Sequence, residues 1–473
     1  MISPQRQILT KIYLASLLIR CVVFVALLTT IGVSAFSFGD TIGYRDIAQH
    51  LIEGHGFSLT DKLGNPVSQD FRPPLYPLLL AGSLLLTNGV MLFIVIQLLL
   101  VSAIPVFTYL LGKEFVSDRA SIMLAVAAAI GEPLLVLFSS FLLTDGLFLF
   151  CFLVGLLFAV RFLKIPSFFN AAVMGIALGV AALIRAVGEF FLLYVAVFAL
   201  WRWLSSSADV RKLFLKGFAT SAVLFILVLS PWIIRNISVF HTFGVSSEGP
   251  WALYFAYIPS LYSIDRGLSF PEAKALVKKR LFDKYPEKAD QRMDPSLLIK
   301  ESIPLLLGEW RGILKLQVIN TLWFFTHDNY AYHLERFGIL EKRPVLFSPT
   351  FILASQGVKG VPQIVAYLRD SYFIPIIGRV FWVIVSIFAF LGAWILIRKH
   401  SPAESRFIAL FLLGTIMYFF ILSSLIGLAG EGRIRMPVMP IMFLFAAVGI
   451  MRLRFIRAMV SAKYAKNDVE EMR

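Results

Sequence analysis

Repeated apolar runs, each about 20 residues long, are the feature that most constrains how this chain can fold. A helix of that length fits the hydrocarbon core of a bilayer, since each residue adds about 1.5 Å and the core is about 30 Å thick. The 473 residues are 58% hydrophobic and only 15% charged. A soluble domain of that composition would leave much apolar surface in water. The sequence therefore predicts an all-α polytopic membrane protein.

Lysine and arginine sort the connecting loops into two sides, as the positive-inside rule requires. The formal net charge of +15 then reflects cytoplasmic loops and anionic lipid rather than a nucleic-acid partner. Both termini are expected in the cytoplasm, provided that 74–111 crosses once and 74–87 is a short interfacial or re-entrant helix. The result is about ten predicted spans, at 12–36, 90–111, 120–138, 142–163, 168–184, 187–203, 213–234, 373–397, 405–428 and 436–452.

Two extramembrane segments are long enough to hold a site. The chain is expected to consist of an N-terminal transmembrane module (1–235) with a catalytic first outer loop (38–72), a periplasmic loop domain with interfacial helices (236–371), and a C-terminal transmembrane module (372–473).

The first outer loop carries an acid followed by a basic motif. Asp40 comes directly after the first apolar run, and Arg72 opens the motif R-P-P-L-Y-P, which includes Tyr76. A partly desolvated carboxylate has a pKa shifted toward neutrality, which suits a general base. The alternative is that Asp40 caps the helix that follows it. Tyr44 lies four residues on, hence on the same helical face, where it contacts substrate or packs.

Five arginines fall on the outer side of the predicted topology, where orientation signals do not explain them. They are Arg72, Arg185, Arg235, Arg433 and Arg435. Guanidinium groups bind phosphate in a bidentate manner, so an anion at the outer leaflet is one interpretation. The alternative is pairing with nearby acids: Asp70 with Arg72, Glu189 with Arg185, and Glu431 with Arg433.

Two further acids, Glu132 and Asp145, lie near the outer ends of apolar runs, as site residues or as salt-bridge partners. No histidine pair has a recognised metal spacing, and no phosphate-binding glycine loop is present. No cofactor is firmly predicted, and a divalent metal is left open. Cys21 and Cys151 lie inside apolar spans, which favours neither a disulfide nor a thiolate metal site.

Short motifs, in order along almost the whole chain, resemble the polytopic GT-C glycosyltransferases, the superfamily of protein O-mannosyltransferases and the lipid A aminoarabinose transferase. The motifs are G-D-T-I-G-Y (39–44), H-L-I-E-G-H-G-F (50–57), R-P-P-L-Y-P-L-L-L-A (72–81), L-L-T-D-G-L-F (142–148), A-L-I-R (182–185), S-P-W-I-I-R-N (230–236) and R-I-R-M-P-V-M-P (433–440). One departure is that Phe71 stands where the aminoarabinose transferase pattern has an acid, with Asp70 one position earlier.

The resemblance implies a GT-C-like bundle and an inverting transfer of a sugar from a polyprenyl-phosphate carrier to a glycan, lipid or protein on the periplasmic face of a bacterial-type inner membrane. By the same resemblance Asp40 is the base and Arg72 holds the carrier phosphate with help from Arg433 and Arg435. The further expected substrate-binding residues are Tyr44, Tyr76, Asp145, Arg185 and Arg235, and the possible secondary acids are Asp70 and Glu132.

Two other functions stay open at this point. O-antigen ligases and polysaccharide polymerases also combine about ten spans with a large outer loop, but they use pyrophosphate-linked glycans and lack the first-loop acid with R-P-P-L-Y-P. A transporter of lipid-linked sugars is the second alternative. Such proteins often show two related halves, and no half-repeat is evident in this chain.

Overall fold

The structure is a computed structural model that describes residues 4–61, 63–286, 293–341, 352, 357–427 and 432–453. Within these ranges the regular structure is helical apart from one antiparallel ribbon of β1 (Ser58–Thr60) and β2 (Pro66–Ser68). The basic tail beyond residue 453 and the predicted partner Glu431 lie outside the described residues. The chain is an all-α polytopic membrane protein, as its apolar runs predict.

The helices follow one another along the whole described chain. They are α1 (Pro4–Thr30), α2 (Gly39–Ile52), α3 (Leu75–Thr87), α4 (Met91–Val101), α5 (Ile104–Lys113), α6 (Arg119–Gly131), α7 (Pro133–Leu137), α8 (Thr144–Lys164), α9 (Phe168–Ile184), α10 (Phe191–Leu204), α11 (Ala208–Phe240), α12 (Glu248–Ala252), α13 (Ile258–Arg266), α14 (Phe270–Lys284), α15 (Pro295–Gly308), α16 (Trp310–Thr326), α17 (Tyr330–Arg336), α18 (Val361–Asp370), α19 (Ile374–Ile397), α20 (Ala403–Ser424) and α21 (439–453). Short 3₁₀ turns occur at Val33–Phe36, Ala186–Gly188, Gly357–Gly360 and Gly432–Val438, and a π turn at Leu253–Tyr257.

Eight helical stretches among the described residues are long and apolar enough to cross a membrane. They are Pro4–Thr30, Met91–Lys113, Thr144–Lys164, Ala186–Leu204, Ala208–Phe240, Ile374–Ile397, Ala403–Ser424 and Gly432–Leu453. Each overlaps one of the ten predicted spans, although the first helix begins and ends several residues before the predicted bounds of 12–36. The other two predictions, 120–138 and 168–184, fall on shorter apolar helices.

The prediction of one continuous span over 120–138 was wrong. Helix α6 ends at Gly131 after 13 residues, and the five-residue helix α7 starts at Pro133. Glu132 between them is extended, with ψ 123°, because a proline disfavours the helical conformation of the residue before it. The prediction of a short helix at 74–87 is confirmed, since α3 has 13 residues and is about 20 Å long.

Two apolar clusters divide the described structure. The larger one runs through the transmembrane helices and includes buried side chains from α8, α9, α20 and α21. The smaller one lies between Tyr254 and Leu316, within the segment predicted to be a loop domain (236–371), and joins α13, α14, α15 and α16. This segment therefore has its own core, while α16 also packs against α19 and α20.

Helices α19 and α21 approach so closely that only glycine fits between them. A Cβ atom added to Gly392 would overlap the carbonyl oxygen of Phe445. Small residues allow this close approach between membrane helices, where packing rather than hydrophobicity drives association.

We expect Gly392→Ala to destabilise the protein by about 1–3 kcal/mol, because the methyl group meets rigid backbone. Thermal unfolding of the detergent-solubilised protein measures the effect. Gly82→Ala is the matched control: a Cβ there meets nothing within 4 Å, and the helical propensity of alanine should raise stability. Equal unfolding temperatures for the two variants would contradict the close packing of α19 on α21.

Candidate functional site

The carboxylate of Asp40 is bound by two arginines from distant parts of the chain. Oδ1 accepts a hydrogen bond from Arg72 Nη2 at 2.9 Å, and Oδ2 accepts one from Arg433 Nη2 at 3.1 Å. The side chains of Asp40, Arg72 and Arg433 are 33, 17 and 24% exposed. Three of the four residues predicted to gather here therefore meet, and each is partly exposed, while Arg435 has other partners.

The start of α2 explains how Asp40 is held. Phe38 is the N-cap, and its backbone N–H donates to Thr41 Oγ1 at 2.8 Å. The Thr41 hydroxyl in turn donates to the carbonyl of Leu142 at 2.8 Å, which fixes the helix start against the turn before α8. Asp40 therefore lies in the first turn, where the helix dipole favours a negative charge, and the predicted capping role is wrong.

Two tyrosines pack next to Arg72, on the side away from solvent. Arg72 Nη1 donates to the Tyr44 hydroxyl at 3.3 Å, and its guanidinium carbon lies 4.9 Å from the centre of that ring. Tyr44 packs on Tyr76, with ring centres 4.9 Å apart, and the Tyr76 hydroxyl donates to Gln97 Oε1 at 3.2 Å. Both tyrosines are buried, and through these contacts they position Arg72.

The electrostatics of Asp40 differ from the prediction. Burial alone would raise the pKa of Asp40, but the guanidinium groups of Arg433 and Arg72 outweigh it and hold that pKa below its ordinary value of 3.8. The expectation of a pKa shifted toward neutrality is therefore wrong for the protein without ligand. Asp40 is a carboxylate at every physiological pH.

A second ion pair is close to the first. Asp145, in the first turn of α8, pairs with Arg185 at the end of α9. The charges of Arg185 and Arg433 lie within electrostatic reach of each other, which brings this pair to the Asp40 cluster. The predicted partner of Arg185 was Glu189, and this was wrong: Glu189 accepts a hydrogen bond from the Val245 backbone at 3.1 Å.

Arg235, one of the predicted phosphate ligands, joins two backbone segments. Nη1 donates to the carbonyl of Gln69 at 2.7 Å and Nη2 to the carbonyl of Phe57 at 3.3 Å, while the guanidinium lies 4.6 Å from the Trp232 ring. These contacts fasten the segment between α2 and α3 to the end of α11.

Arg435, predicted to assist at the carrier phosphate, is bonded to backbone carbonyls. Its side chain is 1% exposed, and its guanidinium donates to the carbonyls of Phe324 and His327. It also stacks on Trp382 at 3.5 Å. Both terminal nitrogens are therefore engaged by the fold.

The two possible secondary acids serve the fold as well. Asp70 accepts hydrogen bonds from the Thr242 and Ser247 hydroxyls at 3.1 and 3.0 Å, rather than pairing with Arg72. Glu132 accepts from the Leu135 backbone at 2.7 Å and from the Tyr330 hydroxyl at 3.0 Å. Both carboxylates are buried.

Sequence reasoning missed two residues of α17 that lie beside the cluster. The guanidinium carbon of Arg336 is 3.7 Å from the centre of the Phe38 ring, two positions before Asp40. The His333 ring is 6.0 Å from the same phenylalanine. Nothing in the short sequence around them indicates this contact, because only the tertiary fold brings α17 to α2. Across the described ranges, no group of three or more His, Cys, Asp or Glu side chains could hold a metal.

Comparisons with known proteins add little to this geometry. No protein-family model matches the chain, and no curated protein matches it. The chain is similar to the crystal structure of ArnT from Cupriavidus metallidurans bound to undecaprenyl phosphate, with 15% identity, a TM-score of 0.36, and coverage of 91% of this chain and 76% of ArnT. For the apo form of ArnT the identity is 16%, the TM-score 0.33 and the coverage again 91% and 76%. A likeness this low carries no weight for the chemistry, which rests on the chain's own residues.

Two neighbouring arginines should respond differently to the same substitution. Arg435→Lys loses hydrogen bonds to two buried carbonyls, which we expect to cost about 1.5–3 kcal/mol of stability. Arg433→Lys retains a cation beside Asp40 at a partly exposed position, so its unfolding temperature should stay near that of the wild type. Thermal unfolding of both variants in the same detergent tests the assignment, and a larger loss for Arg433→Lys would overturn it.

Proposed function

We propose that this chain is a GT-C-type inverting glycosyltransferase that moves a sugar from a polyprenyl-phosphate carrier to an acceptor at the outer face of a bacterial-type inner membrane. The observation that carries the proposal is the partly exposed Asp40 carboxylate held between Arg72 and Arg433. It combines, in one place, a group that can accept a proton and two that can bind phosphate. The order of the GT-C-like motifs along the chain supports the same assignment.

The arginines suit a phosphate leaving group. A guanidinium matches two phosphate oxygens with parallel N–H donors, and its charge is independent of pH. Negative charge grows on the bridging oxygen as the glycosidic bond breaks. Donors already placed at that oxygen stabilise the transition state, and loss of one commonly costs about 2.7–4 kcal/mol.

Without ligand, the arginines keep the proton affinity of Asp40 low. Asp40 would become an effective base when the donor binds these arginines and frees the carboxylate from them. In the resting protein both carboxylate oxygens accept hydrogen bonds from guanidinium groups. A carrier phosphate brings its own negative charge to Arg72 and Arg433 and competes for the same donors. Asp40 then loses hydrogen bonds and gains a like-charged neighbour, and both changes raise its pKa.

The transfer step then balances as a single displacement. The acceptor oxygen attacks the anomeric carbon on the face opposite the phosphate, and Asp40 takes the acceptor proton. The new glycosidic bond forms while the bond to the carrier breaks, and the polyprenyl phosphate leaves with the electron pair. The configuration at the anomeric carbon is inverted.

Two observations separate this proposal from the alternatives. A transporter of lipid-linked sugars needs no proton acceptor such as Asp40 beside its phosphate-binding groups. A polymerase or ligase would use a pyrophosphate-linked glycan as donor, so the identity of the donor distinguishes it. The acceptor class, the outward orientation of the site and the division into modules 1–235, 236–371 and 372–473 belong to the same proposal.

Asp40→Asn should reduce transfer from a polyprenyl-phosphate sugar by about 10²–10⁴-fold, as loss of a general base would. Liquid chromatography with mass spectrometry of lipid-linked sugars identifies the donor, as the species that accumulates in cells without the gene, and the purified protein is then assayed with it. The control is Asp46→Asn, on the same helix, whose carboxylate binds Thr60 instead of a guanidinium. Transfer by Asp40→Asn at the wild-type rate would remove Asp40 from the mechanism.

The pH dependence should shift between the free enzyme and its donor complex. The pKa of Asp40 is depressed by Arg433 and Arg72 in spite of burial, so the base is active above a low pH and is lost only as the pH falls through that value. The acidic limb of the pH profile of kcat/KM reports the pKa of the base in the free enzyme, and the acidic limb of kcat reports it in the donor complex. We expect the acidic limb of kcat at a higher pH than that of kcat/KM. Acidic limbs at the same pH would contradict the idea that donor binding raises the pKa of Asp40.

A further inference from the structure

Helix α17 places a third guanidinium beside the Asp40 cluster. Arg336 lies face-on against Phe38, with its guanidinium carbon 3.7 Å from the ring centre. Phe38 is the N-cap of α2, and its other neighbours include Phe141 at 4.5 Å. Arg336 is therefore fixed over the residue that begins the Asp40 helix.

Among the described residues, Arg336 has the Tyr332 hydroxyl as its polar neighbour and no carboxylate. Arg72 and Arg433 both bond to the Asp40 carboxylate, whereas no carboxylate of the described ranges pairs with Arg336. Its Nε atom is buried and has no hydrogen-bond partner in those ranges. A buried guanidinium donor without a partner is costly, which makes it a position where a ligand oxygen would be stabilised.

His333, one turn earlier on α17, is a second unsatisfied group at the same place. It is 3% exposed, and within the described structure neither of its ring nitrogens has a hydrogen-bond partner. Its ring lies 5.6 and 5.8 Å from those of Phe141 and Phe138. Burial lowers the pKa of His333 to about 3, and the charges of Arg336 and Arg433 act in the same direction. The imidazole is therefore neutral and offers one N–H donor without adding charge.

We propose that Arg336 and His333 form a second phosphate-binding position beside Asp40, which takes a phosphate group of a substrate. The inference rests on the proposed transferase function and extends it, since Arg72 and Arg433 receive the phosphate that leaves. The guanidinium supplies charge and a two-donor fork, and the neutral imidazole supplies one further hydrogen bond. The phosphate belongs either to the polyprenyl carrier or to a phosphorylated second substrate, and the experiment separates the two.

Arginine modification by phenylglyoxal, read residue by residue by mass spectrometry, tests the proposal in the full-length protein in phosphatidylcholine nanodiscs. The probes are a sugar-free polyprenyl phosphate and decyl phosphate, added singly and together. Arg311 is the matched reference, since it also stacks on an aromatic ring, Trp310, in the outer segment.

Protection of Arg336 by polyprenyl phosphate alone supports the proposal and assigns the phosphate to the carrier. Protection that requires decyl phosphate in addition, with Arg433 already protected by the carrier, supports it and assigns the phosphate to a second substrate. Arg336 protected no more than Arg311 under every condition would overturn it. Because no sugar transfer is measured, a failure of the proposed function would be seen separately, as no transfer from any polyprenyl-phosphate sugar by the wild-type protein.

His333→Phe separates ligand binding from packing. The aromatic surroundings accept a phenyl ring, and the change removes two unpaired nitrogens, so the unfolding temperature should equal or exceed that of the wild type. Protection of Arg336 by phosphate should nevertheless weaken roughly three- to tenfold, the effect of one neutral hydrogen bond. Unchanged protection in this variant would show that His333 takes no part in the site.

Discussion

The fold around the site depends on a carboxylate that cannot be left unpaired. Asp40 follows the first transmembrane helix, and at the edge of a low-dielectric region an isolated charge is expensive. Its two partners are Arg72 and Arg433, so one ion-pair cluster joins the segment before α3 to the beginning of the last transmembrane stretch. The hydrogen bond from Thr41 to Leu142 adds the turn before α8 to the same point. The bonds that satisfy the charge also assemble the site.

The arginines singled out in the sequence have two kinds of partner, which depend on their surroundings. Arg235 donates to the backbone carbonyls of Gln69 and Phe57, and Arg435 to those of Phe324 and His327. Arg72 and Arg433 instead face a carboxylate and remain partly exposed. A guanidinium bonded to carbonyls is committed to the fold. One bonded to a carboxylate at an accessible position can exchange that partner for another anion.

Sequence reasoning located the transmembrane helices and the meeting of Asp40 with Arg72 and Arg433, because helix length, charge asymmetry and motif order are all local or ordered properties of the chain. It could not assign partners. Proximity in sequence suggests an ion pair between Arg185 and Glu189. The packing of α8 on α9 instead pairs Arg185 with Asp145. Pro133 indicates the break at Glu132, but the apolar run on both sides of it favours a single continuous span. Arg336 and His333 carry no motif, and only the docking of α17 on Phe38 reveals them.

The guanidinium groups of the site favour an anionic ligand. Asp145 pairs with Arg185, and Asp40 binds both Arg72 and Arg433. Arg336 adds a further guanidinium, with no carboxylate partner in the described structure. Guanidinium donors in a partly desolvated place bind a phosphate better than they could bind a neutral sugar. In the proposed transferase, a phosphate that binds these arginines would weaken their hold on Asp40. Donor binding and activation of the base would then be coupled through electrostatics.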